Sequence, residues 1–164
     1  MKDLKIRDLQ GARSVQISKK VFIVHGKDEA IREQSARLVT KLGYNPVILD
    51  EQATAGRTII EKFERNSNVA FALAILTGDD KGGLNGGDVL TYRPRARQNV
   101  IFELGFFLGR LGREKVCALY QDGVEIPSDY QGIVFIPIDQ AGAWKLALAK
   151  EMKEAGLSVD LNEV

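Results

Sequence analysis

Val69-Ala70-Phe71-Ala72-Leu73-Ala74-Ile75-Leu76 is the longest uninterrupted apolar run in the chain. A continuous run, rather than an alternating one, is the pattern of a strand covered on both faces, as at the centre of a parallel sheet. Four shorter apolar runs share its character: Val21 to Val24, Pro46 to Leu49, Val116 to Tyr120 and Ile133 to Ile138. Each reads as a strand.

Helical periods fill the intervals. Asp28 is an N-cap for a helix with Ile31, Leu38, Val39 and Leu42 inside and Gly43 at its end. Ile59, Ile60 and Phe63 mark a second helix. Val100, Leu104, Phe107, Leu108 and Leu111 mark a third, and Trp144, Ala147, Leu148, Met152 and Ala155 a fourth. Strands alternating with helices predict an α/β fold: a five-stranded parallel sheet of flavodoxin-like order 2-1-3-4-5, helices on both faces and right-handed crossovers. That order favours a ligand crevice at the C-terminal ends of strands 1 and 3.

At 164 residues the chain suits one domain with one sizeable core. Residues 1–19 read as an N-terminal arm or linker, 20–157 as the domain and 158–164 as a C-terminal tail. Lys and Arg total 23 against 22 Asp and Glu, so no global field attracts nucleic acid or an anionic membrane. The single Cys117, in an apolar run, is expected in the core rather than at a metal. The charged N-terminus lacks a signal peptide's apolar stretch, and no run approaches the roughly 18 apolar residues of a membrane span. These features predict a reduced, cytoplasmic setting.

The crevice implied by the strand order would gather several chemically able residues. His25, the one histidine, ends strand 1 with Gly26 and Lys27. Thr77 and Asp79 follow strand 3, and Asp80 beside them makes a candidate Mg²⁺ pair, although adjacent acids more often just cap a turn. A long connection with Gly82, Gly83, Gly86 and Gly87 then runs to Arg97, and loops of such length are usually either functional or disordered. The loop from Asp50 to Arg57 also leaves a strand end, and Arg57 near a helix N-terminus is either an anion holder or, equally, a solvated Arg.

Glu103 is the most pointed feature. Its helix also carries Phe102, Gly105, Phe106 and Gly109 on the outer side, so it is apolar nearly all round and expected to be buried on most sides. A lone carboxylate there costs several kcal/mol. By helical angle Glu103 flanks the core face, in a stripe with Asn99, Phe106 and Arg110. It either pairs with Arg97, Arg110 or Arg113 for structural reasons or is a catalytic carboxylate.

Several chemistries lack their residues. There is no G-x-G-x-x-G and no G-x-x-x-x-G-K-[ST], so Rossmann-type cofactor binding and P-loop chemistry are excluded. No G-x-S-x-G elbow occurs, and a receiver domain's acids and lysine are missing from the ends of strands 1 and 5.

Val21 to Gly26, Leu76-Thr77-Gly78-Asp79-Asp80, Arg95-Ala96-Arg97-Gln98-Asn99-Val100-Ile101-Phe102-Glu103-Leu104-Gly105 and Glu125 to Asp129 with Gly132 resemble the bacterial TIR-like domains of anti-phage effectors, the predicted nucleotide-binding TIR family. The resemblance covers roughly residues 20–155. It implies cleavage of NAD⁺, as substrate rather than cofactor, at the nicotinamide–ribose bond, with hydrolysis or cyclisation of the ADP-ribosyl group. It matches Glu103 to the catalytic residue, the Asp50–Arg57 loop to a mobile gate, and needs no metal. Loss of neutral nicotinamide leaves an oxocarbenium-like ribose that a carboxylate stabilises or attacks. The implied partners are other TIR domains, in a homo-oligomer or filament, and a sensor domain or protein. Where many TIR NADases carry Trp, this chain has Asn99. Stacking on nicotinamide then falls to Phe102, Tyr92 or a partner chain, and Arg97 and Asn99 stand as binding residues. Two other readings stay open: a non-catalytic TIR interaction module, and a nucleoside deoxyribosyltransferase-like enzyme.

Overall fold

The computed structural model describes residues 18–49, 59–130 and 132–164. The elements are β1 (Lys20–Val24), α1 (Glu29–Lys41), β2 (Asn45–Val47), α2 (Ile59–Asn66), β3 (Phe71–Leu76), β4 (Asp80–Gly82), β5 (Arg93–Arg95), α3 (Gln98–Leu111), β6 (Val116–Tyr120), β7 (Val134–Pro137) and α4 (Ala143–Glu154). The main sheet runs β2-β1-β3-β6-β7, with every neighbouring pair parallel. Counting only its own strands, this is the order 2-1-3-4-5 expected from the sequence.

Strand alternation divides the interior into two layers. Phe71, Leu73 and Ile75 of β3 point into one, with Val21, Ile23, Cys117 and Leu119. Ala72, Ala74 and Leu76 point into the other, with Phe22, Val24, Val116 and Ala118. All of β3 is buried, as a strand with helices on both sides must be. Trp144, Leu148 and Met152 of α4 and Leu38 and Val39 of α1 close the first layer. Phe63 of α2 and Val100, Leu104 and Phe107 of α3 close the second. Alanines on that face of β3 and β6 leave room for rings: Phe22 and Phe107 centroids lie 4.4 Å apart, and Phe63 and Phe106 lie 5.6 Å apart. Both edge strands are short and carry proline, Pro46 in β2 and Pro137 in β7.

Local signals held where their partners are local. Asp28 caps α1 by accepting the Ile31 N–H at 3.1 Å, and Gly43 follows the helix at φ +84°, where a Cβ would be strained. Four expectations need correction. Strand 2 begins and ends earlier than Pro46–Leu49, because its ladder stops at Val47 while Ile48 and Leu49 still pack against opposite layers. The connection from Gly78 to Ala96 is not an open loop: β4 and β5 pair antiparallel within it. Residues 158–164 are not a loose tail, since Val159 is buried in the first layer, Leu161 packs against that layer and Leu161–Glu163 form a 3₁₀ turn. Finally, α3 is not buried all round, because Phe102 is 52 % exposed. The arm 1–17 and the loop Asp50–Arg57 lie outside the described residues. No helix among those described is long and apolar enough to cross a membrane.

Candidate functional site

The ends of β1 and β3 are fastened together by one side chain. Asp79 accepts the Thr77 hydroxyl at 3.0 Å through Oδ1 and the Lys27 backbone N–H at 2.9 Å through Oδ2. Its carboxylate lies directly over Gly26, where a side chain of any size would overlap it. Glycine at 26 is therefore set by close approach rather than by backbone angle. Thr77 is buried, at 3 % exposure, so its hydroxyl needs the acceptor that Asp79 supplies. His25 Nδ1 lies 2.8 Å from the Gly26 carbonyl oxygen. That oxygen can only accept, which puts the proton of a neutral imidazole on Nδ1 and leaves Nε2 as the acceptor nitrogen.

His25, Gly26, Lys27, Thr77 and Asp79 are thus brought together at the C-terminal edge of the sheet, as the strand order implied. Asp80 is not part of this cluster. It opens β4, exposed and opposite Arg95 in register. With both Asp79 oxygens accepting hydrogen bonds, the acidic pair acts as turn and fastener. Arg57 lies outside the described residues.

The third helix starts at the same edge of the sheet and packs across β1, β3 and β6. Arg97 is its N-cap, with no capping hydrogen bond from its side chain, and its carbonyl accepts the Ile101 N–H at 3.2 Å. Asn99 and Phe102 are exposed. Glu103 is half-buried, roughly 7.5 Å along the axis from the helix start. Phe106, in its stripe one turn on, packs on Phe63 of α2, so the Glu103 flank faces α2. The other flank faces the 121–130 segment, where the Tyr130 hydroxyl donates to the Ile101 carbonyl at 3.2 Å.

Of the residues that shape this second flank, sequence reading singled out Tyr92 alone, as a stacking candidate, and missed the packing of the others. The Arg95 guanidinium packs flat against Gly82, and the Tyr92 ring against Gly83, which ties Tyr92 to the hairpin. The Gly78 N–H donates to the Gln121 side-chain oxygen at 3.2 Å, and the Glu125 N–H donates to the Pro94 carbonyl at 2.8 Å. The available signal was Arg93-Pro94-Arg95, two arginines at period 2 around a proline that suits only an edge strand.

Cys117 offers no nucleophile. It is 1 % exposed, and burial first, then the negative charge of Glu151, push its thiol far above the ordinary cysteine range.

Comparison with known proteins identifies the family of the chain. Residues 20–140 match the family model of the CAP12/Pycsar effector protein TIR domain. The chain is 43 % identical to uncharacterized protein YuaY of Escherichia coli K12 over 88 % of its own length and 48 % of that protein. It is 36 % identical to protein tirC of Dictyostelium discoideum over 71 % of its length and 63 % of that protein. A 69-residue stretch, 41 % of the chain, is 45 % identical to Pycsar effector protein BcPycTIR of Burkholderia cepacia, covering 22 % of it. The chain therefore spans between about half and just under two thirds of the first two relatives. With the family match covering the sheet, the fastened β1–β3 edge and the Glu103 helix together, the chain belongs to the TIR-domain family of the CAP12/Pycsar effectors.

Proposed function

We propose that this domain cleaves NAD⁺ at the nicotinamide–ribose bond, releasing nicotinamide and passing the ADP-ribosyl group to water or to itself in a cyclised form. The observation that carries the reading is Glu103: a half-buried carboxylate on the α2-facing flank of a helix that begins at the ligand edge of the sheet. Departure of the pyridinium as neutral nicotinamide leaves positive charge on the ribose. A carboxylate held by a rigid helix stabilises that charge or bonds to the anomeric carbon, as in glycoside hydrolysis. His25, Lys27 and Asp79 border the same edge. In this reading the domain is an effector of bacterial anti-phage defence, and its active unit is an assembly of TIR domains. The half-exposed Phe102 beside Glu103 favours a second reading, a surface whose work is contact with other proteins rather than catalysis.

Nicotinamide release measured by chromatography, at low and high protein concentration, separates the two. Wild type is expected to release nicotinamide with a rate that climbs faster than linearly in protein concentration. Glu103→Gln, checked by circular dichroism to be folded, is expected to lose roughly 10²-fold or more. Equal rates in wild type and variant would remove Glu103 from the chemistry, and no release by tethered wild type would favour the contact surface. Release of base from deoxynucleosides but not from NAD⁺ would point instead to a deoxyribosyltransferase-like enzyme.

A further inference from the structure

Arg95 is a half-buried guanidinium with no acid or hydrogen-bond partner among the described residues. Asp80, opposite it in the β4–β5 ladder, does not form the ion pair that register allows; the fork is laid over Gly82 instead. It is therefore held in place by packing, its N–H groups unspent. Arg95 lines two adjoining grooves, of about 290 Å³ and about 560 Å³, and Glu125 lines both with it. Together they reach the size of small-molecule sites. Their walls are tied by backbone: the Glu125 N–H to Pro94 O contact at 2.8 Å joins the hairpin to the 121–130 segment.

The groove is separate from the Glu103 flank. Ile101 lines it, and residues 101 and 103 are about 160° apart round a helix. One flank faces Tyr130 and the other faces α2.

Its chemistry has three parts. Arg95, with Arg93 beside it in the larger groove, supplies a fork and a second cation suited to a phosphate. Glu125 accepts hydrogen bonds from hydroxyl groups, and Gln98 can both donate and accept. Ala96, Ile101 and Pro127 give an apolar floor for a flat ring. We propose that this groove binds a nucleoside phosphate: phosphate on Arg95 and Arg93, ribose hydroxyls on Glu125, base over Ile101 and Pro127. The site is independent of the reaction assigned to Glu103.

The test is titration of the 164-residue chain with AMP, adenosine and inorganic phosphate, followed by calorimetry and by amide chemical shifts. AMP is expected to bind at least tenfold more tightly than adenosine or phosphate, shifting the amides of Gly82, Gln98 and Glu125. Arg95→Ala and Glu125→Gln are expected to weaken it at least tenfold. Gly82→Ala, which displaces the fork, should act in the same direction, and Glu103→Gln should leave affinity unchanged. If Arg95→Ala does not fold, Arg95→Lys and the wild-type shifts decide the matter. AMP binding no tighter than phosphate, shifts confined to the His25–Asp79 edge, or no saturation by about 10 mM would each overturn the assignment.

Discussion

A methyl group at position 26 would overlap the Asp79 carboxylate, and that carboxylate is held by two donors rather than free to swing away. Gly26→Ala therefore has to push Asp79 off Lys27 or Thr77, or shift β1 against β3. Overpacking of this kind costs about 1–3 kcal/mol. The origin of the cost is checked by urea unfolding in two backgrounds. In Asp79→Ser, with a shorter side chain, the Gly26→Ala penalty is expected to shrink by about 0.5 kcal/mol or more. Equal penalties in both backgrounds would show that the contact is not its source. Glu103 was readable as an oddity because a carboxylate in an apolar helix violates the burial rule. Asp79 was readable only as an acid at a strand end, since the partner that makes it a fastener, the Lys27 N–H, follows a different strand.

At the scale of elements, α4 begins without a side-chain cap from its own N-cap residue, Gly142, which sits at φ +83°. Asp139 does that work from three residues earlier, accepting the Ala143 N–H at 3.1 Å and the Trp144 N–H at 2.9 Å. These two bonds, Ala143's foremost, hold the Asp139 carboxyl below its ordinary value of 3.8. A carboxylate with a lowered folded-state pKa adds stability above the unfolded value, and the gain is lost as pH falls through the folded one. Asp139→Ala is thus expected to lower Tm at pH 7, with the gap to wild type closing as pH drops below about 4. A gap unchanged down to pH 2 would mean that charge at Asp139 is irrelevant to the helix. The β4–β5 hairpin is the opposite case. Asp28 could be placed from sequence because its capped N–H lies three residues away. The hairpin depends on Arg95 seating over Gly82, a contact that neither residue announces.

For the whole molecule, the strand order was legible because the apolar runs and helical periods that specify it are strong and continuous. The C-terminal segment was not. Leu157 and Val159 are isolated apolar residues after a glycine, and only the first core layer, built from α1, α4 and the sheet, gives them somewhere to go. Truncation after Gly156 removes both. At about 1.5–3 kcal/mol for each buried side chain, the shortened chain is expected to lose roughly 3 kcal/mol or more in denaturant unfolding. A loss below about 1 kcal/mol would return the segment to the status of a tail. The short outer strands carry a different kind of information. Pro46 and Pro137 each remove a ladder donor from a rim of three or four residues, so the sheet offers little edge on which a further strand could be laid. Copies of this domain that gather into the assembly proposed for its activity would have to meet through helices and loops, with the sheets stacked side by side as finished units instead of merging into one continuous ribbon.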